Sequence, residues 1–218
     1  MNKIRTLTIM FIAFMLLSGT FAFAEDAPQT LFGDVFSFSG YGGVSIEYAR
    51  LGNETYGWFT GGRGAVIIND SYAIGGAGKM LVYPTEREEL TGTSYSGEEP
   101  YAQLGYGGLL LEYYLNPKDL FHVSVGVLAG AGGLAYSQYS IEDDNYDDGH
   151  DDPTDFDAFF VVEPEVNLFV NLTRFCRVGV GVSYRYTYGL DGNNSAAEIT
   201  DETMRGFNGI CQIQFGWF

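Results

Sequence analysis

His122 and Ser124 lie two residues apart on one face of a strand-like run, and a base beside a hydroxyl is the least that nucleophilic catalysis needs. The only other histidine, His150, sits among acids, so acid–base chemistry has few candidates. Gly130-Ala131-Gly132-Gly133-Leu134-Ala135 matches the G-x-G-x-x-A pattern that holds pyrophosphate when it opens a helix. The adjoining stretch, Tyr136 to Asp157, is polar and acidic with no helical period, so the match reads as small residues in a strand.

Between Glu142 and Asp157 stand nine acids and no Lys or Arg. Hard cations prefer clustered oxygen ligands, and Asp144, Asp148, Asp151 and Asp155 are the candidates. Aligning Gly149 with the glycine of an EF-type calcium loop leaves Tyr146 where Asp or Asn belongs. The expectation is therefore a solvated loop with no resident metal, open to diffuse bridging by divalent cations. Nothing in the chain calls for a cofactor.

Strands must position all of these groups. Lys3 and Arg5, the apolar run Leu7 to Leu17 and the small-x-small Ala22-Phe23-Ala24 read as a cleaved export signal over 1–24. The mature chain, 25–218, is expected to be one domain. It carries nine basic against 28 acidic residues, a formal charge of −19, which argues against a nucleic-acid partner. Eight strand-like runs span it, near 36–49, 58–68, 72–83, 102–114, 120–136, 158–171, 175–188 and 205–217. The connections alternate: 69–71, 115–119 and 172–174 are short, whereas those near 50–57, 84–101, 137–157 and 189–204 are longer. Short turns on one side and long loops on the other are the rhythm of membrane barrels.

Face alternation agrees. Cys176, Val178, Val180, Val182, Tyr184, Tyr186 and Tyr188 oppose Arg177, Gly179, Gly181, Ser183, Arg185 and Thr187. The predicted fold is all-β, an eight-stranded antiparallel up-and-down transmembrane barrel with its apolar face outward; a soluble sandwich would turn that face inward. Tyr48, Tyr72, Tyr113, Phe121, Phe160, Tyr186 and Trp217 fall near strand ends, as interfacial girdles do. Pro164 lies mid-strand and predicts a bulge or kink. Phe218 is off the apolar phase set by Phe207, Cys211, Ile213, Phe215 and Trp217. Cys176 and Cys211 are expected out of register, as two free, buried thiols.

An eight-stranded lumen is just wide enough for side chains. Parity places Glu47, Glu112, Glu163 and Glu165 inside with Arg63, Lys79, Arg177 and Arg185, four acids against four bases. Buried charges persist only when paired. Folding the hairpins sets Glu163 across from Ser183 and diagonal to Arg185, Glu112 opposite His122, and Glu47 near Arg63. The expected interior is plugged and ion-paired.

On its signal-like start, strand rhythm, alternating loops and Phe218, the chain resembles the small bacterial outer-membrane barrels of the OmpA transmembrane-domain and OmpX type. That resemblance implies export to the outer membrane through the barrel assembly machinery and contact with outer-membrane lipid and lipopolysaccharide. It also implies a structural, adhesive or surface-protective protein, though some members of such families are enzymes; a non-enzymatic role and a monomer are expected. Barrel-type lipid-A deacylases are similar in placing a His and a Ser on one strand, but they use the lipid-facing side, whereas His122 and Ser124 point to the lumen by parity. Barrel-type carboxylate proteases have no clear counterpart in these residues. An enzyme acting on outer-leaflet lipid and a narrow channel are the alternative readings.

Overall fold

A computed structural model describes residues 37–51, 56–84, 101–137, 156–190 and 200–218. The expected signal segment, most of the acidic loop and its four aspartate candidates Asp144, Asp148, Asp151 and Asp155 lie outside the described residues.

Eight antiparallel strands close on themselves in chain order: β1 (Phe38–Arg50), β2 (Tyr56–Ile68), β3 (Tyr72–Pro84), β4 (Tyr101–Leu115), β5 (Phe121–Ser137), β6 (Phe156–Thr173), β7 (Cys176–Tyr188) and β8 (Gly206–Trp217). Pairing of β8 with β1, from Gly40 opposite Trp217 to Ala49 opposite Asn208, removes the last free edge. Strands of 12 to 18 residues exceed the roughly 9–11 that a tilted membrane-crossing strand needs.

Local chemistry sets the tight turns. Asn69 and Asp70 both have positive φ, 51° and 60°, and Ser71 N–H donates to the Ile68 carbonyl at 3.3 Å. Two consecutive left-handed residues make the turn whose twist matches its flanking strands, and Asn and Asp tolerate that geometry. Asn116, also at positive φ, starts the β4–β5 turn, with Asp119 N–H on its carbonyl.

Along each strand burial alternates with period two. Val44, Ile46, Val66, Ile74, Val125, Leu168, Val180 and Val182 stand exposed on the outer wall, and their neighbours in sequence are turned to the lumen. Among the expected girdle residues Trp217 is 78% exposed and Phe160 68%, so these large rings stand largely uncovered by the described residues. A water-soluble protein rarely leaves so continuous an apolar belt uncovered.

Three details depart from expectation. Pro164 makes no bulge: the β6–β7 ladder omits pairs at Glu163 and Pro164, then resumes in the same register at Glu165. The irregularities fall instead at Trp58/Phe59 and at Asn171/Thr173, near strand ends. Both thiols are free and four places out of register, but only Cys176 is buried; Cys211 is exposed on the outer wall. A one-turn helix, α1 (Asp201–Met204), lies in the β7–β8 connection, where the sequence pattern predicts only loop.

Candidate functional site

The lumen is built in three tiers. At the tight-turn end Tyr41, Ala65, Ile67, Ala73, Tyr114 and Phe169 form an aromatic floor against which Phe218 packs. At the long-loop end Leu104, Leu110, Leu128, Leu134, Phe159 and Met204 belong to an apolar ceiling. Between them lies the charged tier. The lumen thus carries apolar clusters toward both ends, with the paired charges between them.

Every inward charge named from parity is buried: Glu47, Arg63, Lys79, Glu112, Glu163, Glu165, Arg177 and Arg185, with His122 beside them. Their pairing differs from hairpin arithmetic. Glu47 lies opposite Phe59 on the ladder, and the cation it binds directly is not Arg63 but Lys79, whose Nζ is at 2.8 Å. The same ammonium holds Glu163 at 3.0 Å. Arg63 clasps Glu165 with both ends of its fork, at 2.6 and 3.1 Å, and reaches Glu112 at 3.5 Å. Glu112 stands opposite Gly126, not His122. Ser183 is paired with Glu165 along the ladder, yet its hydroxyl donates to Glu163. Counting hairpin residues from a guessed turn misses such offsets, and it cannot see partners two strands away around a closed wall.

The expected balance of four ion-paired bases is also corrected. Two cations bind four carboxylates, and neutral donors complete the set. Glu163 receives Tyr106 Oη at 2.8 Å and Asn208 Nδ2 at 2.9 Å as well as the Ser183 hydroxyl. Glu112 receives the Tyr41 hydroxyl, and Tyr114 Oη at 3.0 Å. Asn167 Nδ2 donates to Glu165 at 3.1 Å, and Ser45 Oγ to Glu47 at 3.3 Å. Satisfying a buried carboxylate with several donors offsets the desolvation penalty that a single partner would leave.

Arg177 and Arg185 have no carboxylate within salt-bridge distance among the described residues. Arg177 donates Nε to Gln214 Oε1 at 2.7 Å, and rings surround its guanidinium: Phe218 at 3.9 Å, Tyr114 at 4.2 Å, Phe169 at 4.9 Å and Tyr41 at 5.3 Å. Planar, weakly hydrated guanidinium suits such stacking. Arg185 ties α1 to the wall, donating to the Met204 carbonyl at 2.9 Å and to that of Arg50 at 2.6 Å. His122 lies stacked on Phe169, ring centroids 5.4 Å apart. Ser124 faces the lumen, fully buried, and its hydroxyl accepts Asn167 Nδ2 at 3.4 Å. The G-x-G-x-x-A segment runs inside β5, so no helix N-terminus is present to hold a phosphate.

The sequence reading missed the tyrosines, the amides and Phe218. One signal was available: Tyr106 and Tyr114 share parity with Glu112, and Phe218 shares it with Asn208, Gln212 and Gln214. Its apparent phase error is an inward position.

No protein-family model and no curated protein sequence matches the chain. Among solved structures, Neisserial surface protein A is similar at 9% identity and a TM-score of 0.53, with 83% of this chain and 97% of that one covered. The N-terminal β-barrel domain of Pseudomonas aeruginosa OprF is similar at 9% identity and 0.48, with 82% and 97% covered. Ail, the attachment invasion locus protein of Yersinia pestis, is similar at 10% and 0.44, with 83% and 97% covered. At such identity the likeness is one of fold. The fold is that of the small eight-stranded outer-membrane barrels.

Proposed function

We propose that this chain is a non-enzymatic barrel of the bacterial outer membrane, exported as a precursor whose residues 1–24 are removed, with residues 25–218 forming the barrel. Its lumen is plugged and ion-paired, and its acidic loops face the exterior, where it serves membrane integrity or surface interaction. One observation carries the reading: the molecule is inside out relative to a soluble protein, with an uncovered apolar wall around a charged interior. Lipid is the solvent that such a wall fits, and closure leaves no backbone edge unsatisfied in it. Purified protein is expected to stay dispersed only in detergent or lipid. A monodisperse, folded sample in plain buffer would defeat the proposal.

Buried side chains occupy all three tiers, which supports a plugged lumen, and planar-bilayer recordings are expected to show no sustained conductance steps. Reproducible single-channel steps from the folded barrel would favour the narrow-channel reading instead. For the enzyme reading, the His122–Ser124 pair is buried on the lumen side, away from lipid. Lipid-A mass spectra are expected to be unchanged by the protein. We further propose assembly by the barrel machinery, a monomeric state, contact with lipopolysaccharide, and diffuse divalent bridging at Asp144, Asp148, Asp151 and Asp155 with no resident metal.

A further inference from the structure

At the long-loop end the chain leaves the barrel wall after β7 and comes back to it through α1. β7 ends at Tyr188, and Gly189 follows with φ +113°, a conformation that residues with a side chain rarely adopt. The return passes through α1 and Arg205 to Gly206, where β8 begins. Asp201, the first residue of α1, ties the outgoing and returning chain together. Its carboxylate accepts the Gly189 N–H at 3.0 Å and the Leu190 N–H at 3.2 Å, and its carbonyl accepts Thr187 Oγ1 at 3.1 Å. At the far end of the turn, Arg185 Nε donates to the Met204 carbonyl at 2.9 Å. Arg205 donates Nε and Nη2 to the Thr187 carbonyl at 3.3 and 3.0 Å.

Two apolar side chains, Leu190 and Met204, reach from this corner into the ceiling cluster, where both are buried. Arg185 and Thr187, which bond to α1 from the lumen face of β7, are fully buried as well. Among the described residues, the hydrogen bonds that hold α1 run to β7 and to the two residues after it. None of them belongs to the ladders that close the wall, which pair Arg185 with Gly206 and Ala49 with Asn208. A segment held by a few side chain–backbone bonds opens at a lower free energy than the ladders it adjoins.

We propose that α1, together with Leu190, is a hinged lid over the long-loop end of the lumen, latched to the end of β7 by Asp201 and from within by Arg185. It opens while the wall stays shut. Opening bares the apolar ceiling only, and the charged tier still fills the lumen below it. The lid therefore depends on the closed wall, not on the lipid around it or on the conductance expected of the plug. The test uses the full barrel in detergent, with Cys176→Ala and Cys211→Ala removing the native thiols and Leu134→Cys as a reporter within the ceiling. A charged, water-soluble maleimide labels the reporter when the lid is open, and compact gel mobility reads the wall. Labelling is expected to be slow with the latch intact and about tenfold faster with Asp201→Ala, which removes the acceptor of two backbone N–H groups. Met204→Ala is expected to speed it too, and both variants are expected to keep compact mobility. Labelling of the intact barrel at the rate of unfolded chain would overturn the lid, as would parent rates in both variants. So would faster labelling with loss of compact mobility, or an equal gain at an Ala73→Cys reporter in the floor, since either marks a loosened wall. Each of these outcomes leaves the membrane reading standing.

Discussion

Lys79→Met is expected to destabilise the barrel by about 3–5 kcal/mol, because it removes one partner from a buried ion pair and leaves uncompensated charge in a dry site. The ammonium sits between Glu47 at 2.8 Å and Glu163 at 3.0 Å, with both carboxylates buried. Without it, Glu163 keeps Tyr106, Ser183 and Asn208 as donors, whereas Glu47 keeps only the longer Ser45 contact. Most of the loss should therefore trace to Glu47. Adding Glu47→Gln to Lys79→Met is expected to recover more stability than adding Glu163→Gln. Urea unfolding in lipid vesicles, followed by the emission of Trp58 and Trp217, measures all four proteins. If Lys79→Met unfolds at the parent midpoint, the charged tier does not hold the wall together.

The second large effect is steric. Gly108 and Gly130 face each other across β4 and β5, and an added Cβ on Gly130 would lie 2.0 Å from the Gly107 carbonyl oxygen and 2.6 Å from the Gly108 Cα. These contacts are with backbone, so no rotamer change relieves them; the two strands must part. Gly130→Val is expected to cost about 3 kcal/mol, at the upper end of overpacking effects, and to lower the yield of closed barrel. The shift between compact and heat-unfolded mobility on a gel reads the closed fraction. Gly209→Ala serves as the control, since nothing lies within 4 Å of its added Cβ. Equal closure of the two variants would show that the β4–β5 approach is not tight in the folded protein.

Fold and site were legible to different depths, for physical reasons. Outward apolar parity and turn chemistry are local, so strands such as β5 and β7 can be read almost to their ends, and the Asn69-Asp70 turn announces itself. The lumen residues come from the same parity: Glu163 and Arg185 must share a face if Val162 and Tyr186 share the other. Their partners do not. Arg63 and Glu165 are 102 residues apart and meet only because the sheet closes, a distance no hairpin count can measure. Parity also treats a Tyr as greasy or polar by assumption, which hid the hydroxyls of Tyr41, Tyr106 and Tyr114. Phe218 hides for the opposite reason: its break in the outward apolar phase is a turn toward the lumen, where it packs against the aromatic floor and Arg177.

The fate of the basic side chains has a practical corollary. Trypsin cuts after Lys and Arg, and Arg63, Lys79, Arg177 and Arg185 are sealed within the closed wall. Digestion of the assembled protein should therefore spare the stretches around these four positions, and misfolded material should be shredded there. The same residues that neutralise the interior thus act as a built-in proteolytic reporter of whether the cylinder has shut.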